Sequence, residues 1–481
     1  MLKRRSFLSG ITASSIALPW LLNQDGLLVA DDATENVKPD IDVTYDLLPK
    51  LPPLPARATA MIDLFQFGGP SQMDLFDPKP ILTERDGQKY PGNLDTDNAA
   101  GATGTVFGSP WKFSKHGQCG MDVSEILPHI ASIVDDVCHL RGMKFGTNAH
   151  DRGTFMAITC GPNPGRPTLG SWLNYALGSE NDSLPCFVAL TAKDGLPLYN
   201  TDNWSAGFLP GVYQGTQVRA EEPRILNLDP PKHLAGASQK AQLEMLKKLN
   251  QEHYAANPAE RDLEARIASY ELAAKMQLHA KEAFDLSSEP QYILDMYGLD
   301  DPESSDYGAR CLIARRLVER GVRFIQVLNS GNGVVDWDSH GSIGTGLPKA
   351  CRAVDKPCAA LIKDLKQRGL LDKTLVRWGG EMGRLPTAEA TGERPTWGRD
   401  HNGKAGYMWM AGAGMKGGLI HGATDEWGHE AIEGIVTAPD FHATVLHLFG
   451  LDHTKLTYKR NTQLATLTDG LPARILTELF V

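Results

Sequence analysis

With 481 residues, 42% of them hydrophobic and 22% charged, the chain has the apolar content to bury one large core or two modest ones, which excludes a disordered protein. A formal net charge of -10 argues against nucleic acid as a main partner, since phosphate backbones are held by clustered Lys and Arg and no such cluster follows the first residues. Seven scattered cysteines without a CxxC pair exclude a zinc ribbon and a thioredoxin-type site.

The first segment reads as an address rather than as structure. Lys3, Arg4 and Arg5 precede Ser6-Phe7-Leu8 and an apolar run to Leu22, similar to a twin-arginine export signal, so residues 1–30 are expected to be a signal peptide read by the twin-arginine translocation machinery. The alternative is the basic start of a core helix. Thr12, Ser14, Ser15 and Pro19 leave the run too short and mild for a stable transmembrane span, so a periplasmic or otherwise exported protein is expected. Residues 31–56 are polar and then Pro-rich, as in a linker, and residues 57–481 are expected to form a single α/β domain.

ATAMIDLFQFGG (58–69) predicts a first strand ending in a glycine pair. Such a pair lets the backbone approach a ligand closely, with Asp74 and Asp77 within reach of it, or it makes a plain surface turn. Residues 81–120 read as a long excursion. The stretch 123–143 reads as a helix leading into a strand, and 145–161 as a loop feeding a second helix. His150, Asp151, Arg152 and Thr154 fall near that helix's N-terminus, where free N–H groups favour an anion and Arg152 adds a bidentate grip on phosphate or sulfate. Otherwise Asp151 caps the helix and His150 bonds a loop carbonyl.

SWLNYALG (171–178) and LPCFVAL (184–190) continue the alternation of helix and strand. Residues 238–257 and 260–284 then carry apolar stripes at three-and-four spacing, broken at Asn257-Pro258, which predicts a helical hairpin within an insertion over 236–290. ARCLIARRLVERG (309–321) is an amphipathic helix handing over to RFIQVLN (323–329), which with TLVRWGG (374–380) suits the central strands of a parallel sheet. YMWMAG (407–412) is another apolar strand, and TAPDFHATVLHLFGLD (437–452) starts with a capped helix and ends on Gly450.

Three polar clusters lie among these strands: DWDSH (336–340), GGEMGR (379–384) and GRDHN (398–402). Chemistry in such sheets gathers at the carboxyl ends of the strands. Asp336, Asp338, His340, Glu381, Asp400 and His401 are expected to meet there as oxygen and imidazole ligands for zinc, calcium, manganese or a similar divalent ion. The bland alternatives are a Trp-anchored turn at WDSH, a self-bonded loop at GRDHN and an i,i+3 ion pair of Glu381 with Arg384.

These motifs, in this order behind a twin-arginine start and together with FGGPSQMDLFDPKP and CLIARRLVERGVRF, resemble an exported bacterial family known as domain-of-unknown-function family 1501. The resemblance covers nearly the whole chain after the linker, and its name implies no activity. It implies a weaker one, to the alkaline phosphatase and sulfatase superfamily: a sandwich with a mostly parallel central sheet flanked by helices and metal ligands at strand ends. Asp336 and His340 match that superfamily's Asp-x-x-x-His spacing, with Asp338 as a competing ligand. Glu381 falls at a ligand position, and His401 looks like the separate His that completes the first site.

The departures concern the nucleophile. Asp151 occupies the position expected for a Ser, Thr or modified Cys, Thr147 and Thr154 flank it, and no CxPSR is present. What the resemblance implies is a metal-dependent hydrolase of phosphate or sulfate esters. A divalent ion is held by Asp336 or Asp338 with His340 and His401, while Glu381 and Asp74 hold a second ion or act as base. Arg152 and Arg384 offset charge on an anionic small-molecule or glycan substrate. The alternative is a non-catalytic exported protein that binds a metal or an acidic glycan.

Overall fold

Short runs of β-branched and aromatic residues build the core strands of the computed structural model. It describes residues 47–481 apart from 95–98, 100, 182, 221–223, 226–236, most of 257–281, 332–335, 390–392 and 461. The expected signal peptide, most of the expected linker and most of the second arm of the expected helical hairpin lie outside the described residues. The described stretch 47–56 makes backbone bonds to the domain, from Lys50 N–H to the Leu177 carbonyl and from Leu54 N–H to that of Gly450.

The strands and helices used below are β1 (Ala60–Phe65), β2 (Ala102–Val106), β3 (Val137–Lys144), α1 (His150–Thr159), α2 (Leu169–Leu177), β4 (Phe187–Thr191) and β5 (Thr216–Arg219). After α3 (Ala237–Ala256) come α4 (Ser305–Glu319), β6 (Phe324–Leu328), α5 (Ile343–Gln367), β7 (Thr374–Gly379), β8 (Gly383–Glu389) and β9 (Gly398–Asn402). The chain closes with β10 (Gly406–Ala411), β11 (Ile420–His421), β12 (Val436–Thr437) and α6 (Ala438–Leu448).

The fold is α/β, with a mixed, mostly parallel central sheet ordered β11, β3, β10, β7, β1, β6, β4, β5, and with β12 added beside β3. β1 pairs in parallel with β6 and β7, whereas β10 runs against both β3 and β7. Alternation along the strands makes two faces. Ile62, Leu64, Ile325, Val327, Val376 and Trp378 share one apolar cluster with Cys311 and Leu312 of α4 and Cys358 and Leu361 of α5. On the other face the Asp63 carboxylate accepts from Arg377 at 2.8 Å, a buried pair beneath Phe441 of α6. All seven cysteines are free. Among the described residues no helix is long and apolar enough to cross a membrane.

One expected element is different in kind. The apolar spacing over 123–143 predicts a helix, but only a 3-10 stretch forms, Ile130–Asp136, before β3 begins. The buried Asp355 carboxylate of α5 accepts from His129 and Ile130 N–H at 2.9 and 2.7 Å, so a side chain from another element satisfies donors that a longer helix would have used internally. The capped start of the last helix is present as a capping box between Thr437 and Asp440.

A second, three-stranded antiparallel sheet, β9-β8-β2, grows from the loop after β7. GRDHN is therefore itself a strand, and it delivers His401 sideways to the mouth of the central sheet.

Candidate metal centre

The site begins where β1 ends. Gly68 and Gly69 have φ of +109° and +69°, which side chains rarely adopt, and a Cβ on Gly68 would lie 2.5 Å from the Asp338 nitrogen. Gly68 thus brings the chain against the 336–340 loop, and Gly69 brings it against Met382, where a Cβ would lie 2.6 Å from the side chain. Trp337 locks that loop: its N–H donates to the Phe67 carbonyl at 3.1 Å and its indole N–H to Gln66 Oε1 at 3.0 Å. From the other side, Arg399 N–H of β9 donates to the Ser339 carbonyl at 2.9 Å.

Arg384 ties these segments together from within. Its buried guanidinium donates to the carbonyls of Gly69 and Arg399, both at 3.0 Å, to the Gly68 carbonyl, and to Asp338 Oδ1 at 2.6 Å. It pairs with Asp338, not with Glu381 as helical spacing would suggest.

Asp338 is the hub. Its Oδ1 lies 2.8 Å from His340 Nε2 and 3.2 Å from His401 Nε2, and its Oδ2 lies 3.2 Å from His150 Nε2. The two nitrogens of His340 and His401 are themselves 3.0 Å apart. Donor atoms of His150, Asp338, His340 and His401 all lie within 4.8 Å of one another. Carboxylates stand behind two of the rings. Glu381 Oε1 accepts from His150 Nδ1 at 2.7 Å and from Gly68 N–H at 2.8 Å, and Glu389 bonds His340 Nδ1. A carboxylate on Nδ1 fixes the tautomer that turns the Nε2 lone pair inward, as found for imidazole ligands of metals.

Charge follows from this packing. Burial opposes ionisation of Asp338, but three imidazoles and the Arg384 guanidinium hold its carboxyl well below the usual range. Burial also opposes charge on His150, yet the Asp338 and Glu381 carboxylates raise it to about 9. The Asp338 carboxylate raises His340 as well.

The donor set fits a divalent cation. Zinc–nitrogen and zinc–oxygen bonds of about 2.0–2.1 Å put tetrahedral ligands about 3.3 Å apart, and the triangle of Asp338 Oδ1, His340 Nε2 and His401 Nε2 has edges of 2.8, 3.0 and 3.2 Å. Two N–H groups cannot point at each other across 3.0 Å, so at least one of the facing nitrogens presents a lone pair. Glu381 Oε2, fully buried, has no hydrogen-bond partner among the described residues.

Of the residues expected from sequence, Asp338, His340 and His401 come together, with Glu381 behind His150 and Asp400 behind His340. Asp336 does not join them: it is exposed and accepts from Asn329 at 2.9 Å. Asp74 is wholly buried in an ion pair with Arg399 at 2.6 and 3.1 Å, which neutralises it away from the cluster. Asp151 and Arg152 are exposed at the start of α1, and the Asp151 carboxylate accepts from Arg152 N–H at 2.7 Å. Thr154 is fully buried, and its hydroxyl has no hydrogen-bond partner among the described residues. Sequence reasoning gave His150 to an anion site and passed over Glu389. The first had a signal, an imidazole at the first residue of a helix; the second had none.

The family model described as "Protein of unknown function (DUF1501)" matches residues 58–480. No curated protein matches the chain. Among solved structures, the lipoteichoic acid synthase LtaP from Listeria monocytogenes is similar over 82% of this chain and 73% of its own, at 10% identity and a TM-score of 0.33. The PsFucS1 sulfatase from Pseudoalteromonas sp. is similar over 82% and 68%, at 13% identity and a TM-score of 0.35. The alkaline phosphatase from the Antarctic bacterium TAB5 is similar over 83% and 99%, at 10% identity and a TM-score of 0.31.

Proposed function

The chain belongs to the DUF1501 family, and from the donor set of its site we propose that it is a metal-dependent hydrolase of phosphate or sulfate esters. The observation that carries this reading is the triangle of Asp338 Oδ1, His340 Nε2 and His401 Nε2, three ligands of the kind that catalytic sites use while keeping a further position open. A divalent cation supplies a Lewis acid there, polarising an ester oxygen and lowering the pKa of water.

The chain's own groups do the rest. Arg384 and the glycine pair hold Asp338 in place, and Glu389 orients His340. His150 sits on the other oxygen of Asp338 and is backed at Nδ1 by Glu381, so its Nε2 serves to hold or release a proton at the leaving oxygen. The Arg152 guanidinium at the start of α1 offsets charge on the phosphoryl or sulfuryl group. Water is the nucleophile in this reading, which is supported by the burial of Thr154 and by the Asp151 carboxylate being taken by Arg152 N–H. Export through the twin-arginine route belongs to the same reading and rests on Lys3-Arg4-Arg5-Ser6-Phe7-Leu8.

A second reading, metal or acidic-glycan binding without turnover, is favoured by the burial of Thr154, which takes that hydroxyl out of reach of a substrate. Turnover of aryl phosphates and aryl sulfates by the folded protein, with and without chelator, separates the two. Chelator-sensitive hydrolysis supports the enzyme. Bound metal with no turnover on the whole panel supports the binding protein.

A further inference from the structure

β4 runs parallel to β6, so the loop that follows Thr191 leaves at the same mouth of the sheet as the 336–340 loop. The loops after these two strands touch, since a Cβ on Gly331 would lie 2.8 Å from the Gly195 nitrogen. Four residues further on, Tyr199 and Asn200 stand side by side in the left-handed region, at φ of +64° and +47°. A tyrosine is a rare occupant of that region, and such outliers persist only where the surroundings enforce them. Asn203 enforces this one. Its side chain is fully buried, and its amide donates to the Leu198 and Asn200 carbonyls at 2.7 and 2.9 Å. Asp202 N–H closes the turn on the Tyr199 carbonyl at 3.1 Å.

The turn presents the half-buried phenol to α1, where its ring packs against Phe155 with centroids 5.2 Å apart. The hydroxyl makes no hydrogen bond among the described residues. Burial, and then the Asp151 and Glu381 carboxylates, push the phenol up and keep it a neutral donor. Those two acids flank His150, one as its neighbour in α1 and the other on its Nδ1. Glu381 Oε2 has no hydrogen-bond partner among the described residues, so the phenol is not spent on that carboxylate. Packing on Phe155 needs only a ring, and the hydroxyl is left over for another acceptor.

Resting on the hydrolase reading, we infer that the Tyr199 hydroxyl is a substrate contact, donating a hydrogen bond to an oxygen of the phosphoryl or sulfuryl group held at the metal centre. The ionised group offers acceptors only, which a protonated phenol matches and the neighbouring carboxylates do not. The strained turn is thereby explained as the means of holding one donor at the rim of the site.

The test is calorimetric titration of inorganic phosphate, and separately of inorganic sulfate, into the full, folded, zinc-loaded chain. Wild type and Tyr199→Phe are compared, with zinc measured on the same samples. Both are expected to hold the same zinc. Tyr199→Phe, which keeps the ring on Phe155, is expected to bind whichever anion the wild type binds about 10- to 100-fold more weakly, the loss of a hydrogen bond to a charged group. Equal affinities in the two proteins overturn the Tyr199 contact and leave the hydrolase reading standing. A Tyr199→Phe chain short of zinc makes the residue structural and overturns the contact as well. A wild type that holds zinc but takes up neither anion, or that holds no zinc, overturns the contact and the hydrolase reading together.

Discussion

His340 and His401 face each other through Nε2 atoms 3.0 Å apart, with Asp338 Oδ1 2.8 Å from one and 3.2 Å from the other. A bare imidazole pair at that distance shares one proton, whereas a cation between the two and the carboxylate uses all three lone pairs. Removing either ring takes away a direct ligand, and losing even an outer partner of a metal ligand costs about 10–100-fold in affinity. His340→Ala and His401→Ala are each expected to weaken zinc binding by at least about 100-fold, as measured by competition with a chromophoric chelator. The far-UV circular dichroism of the wild type should persist.

His150 is expected to behave differently. It sits on the opposite oxygen of Asp338 and is held by Glu381, outside the three-donor triangle. His150→Ala should retain the metal while losing turnover by about 100- to 10,000-fold, the usual contribution of a positioned general acid or base. Loss of metal in this variant would make His150 a ligand instead.

The legible parts of the sequence were those set by local pattern. Apolar runs located β1, β6, β7 and β10, and the motif order placed Asp338, His340 and His401 at one end of the sheet. What could not be read was the choice of partner for each acid. Asp74 follows the glycine pair and looks available, but Arg399, 325 residues later, takes both its oxygens. Glu389 sits at the end of a strand with no motif around it, and it matters only because β8 lies beside β9. Those pairings are long-range, and no periodicity reports them.

Asp74 supplies a prediction of its own. Breaking a buried ion pair leaves an uncompensated charge and costs about 3–5 kcal/mol. Asp74→Asn should lower unfolding stability by about that much in denaturant titrations, with the metal content of the folded fraction unchanged. A lost ion with unchanged stability would restore Asp74 as a ligand.

The pH dependence of the metal-free protein follows from His150, raised to about 9 from an ordinary 6.5 by the Asp338 and Glu381 carboxylates against the opposing effect of burial. A raised folded-state value means that its stabilising contribution is full below pH 6.5 and is lost as pH rises through about 9. That contribution is on the order of 3 kcal/mol. Chelated protein is therefore expected to unfold more readily at pH 9 than at pH 6.5. Metal binding runs the other way, since ligand imidazoles must be neutral, and affinity should rise over the same interval. Thermal unfolding at both pH values, with and without metal, checks the two slopes.

The most direct test is the divalent-metal content of the folded wild-type chain beside Asp338→Asn, both purified from metal-replete medium and dialysed alike. Asp338 touches all three imidazoles, so the wild type should hold at least one tightly bound ion per chain and the variant should hold none. A wild type without metal, or an Asp338→Asn chain that keeps the full complement, would contradict a metal centre built on this carboxylate.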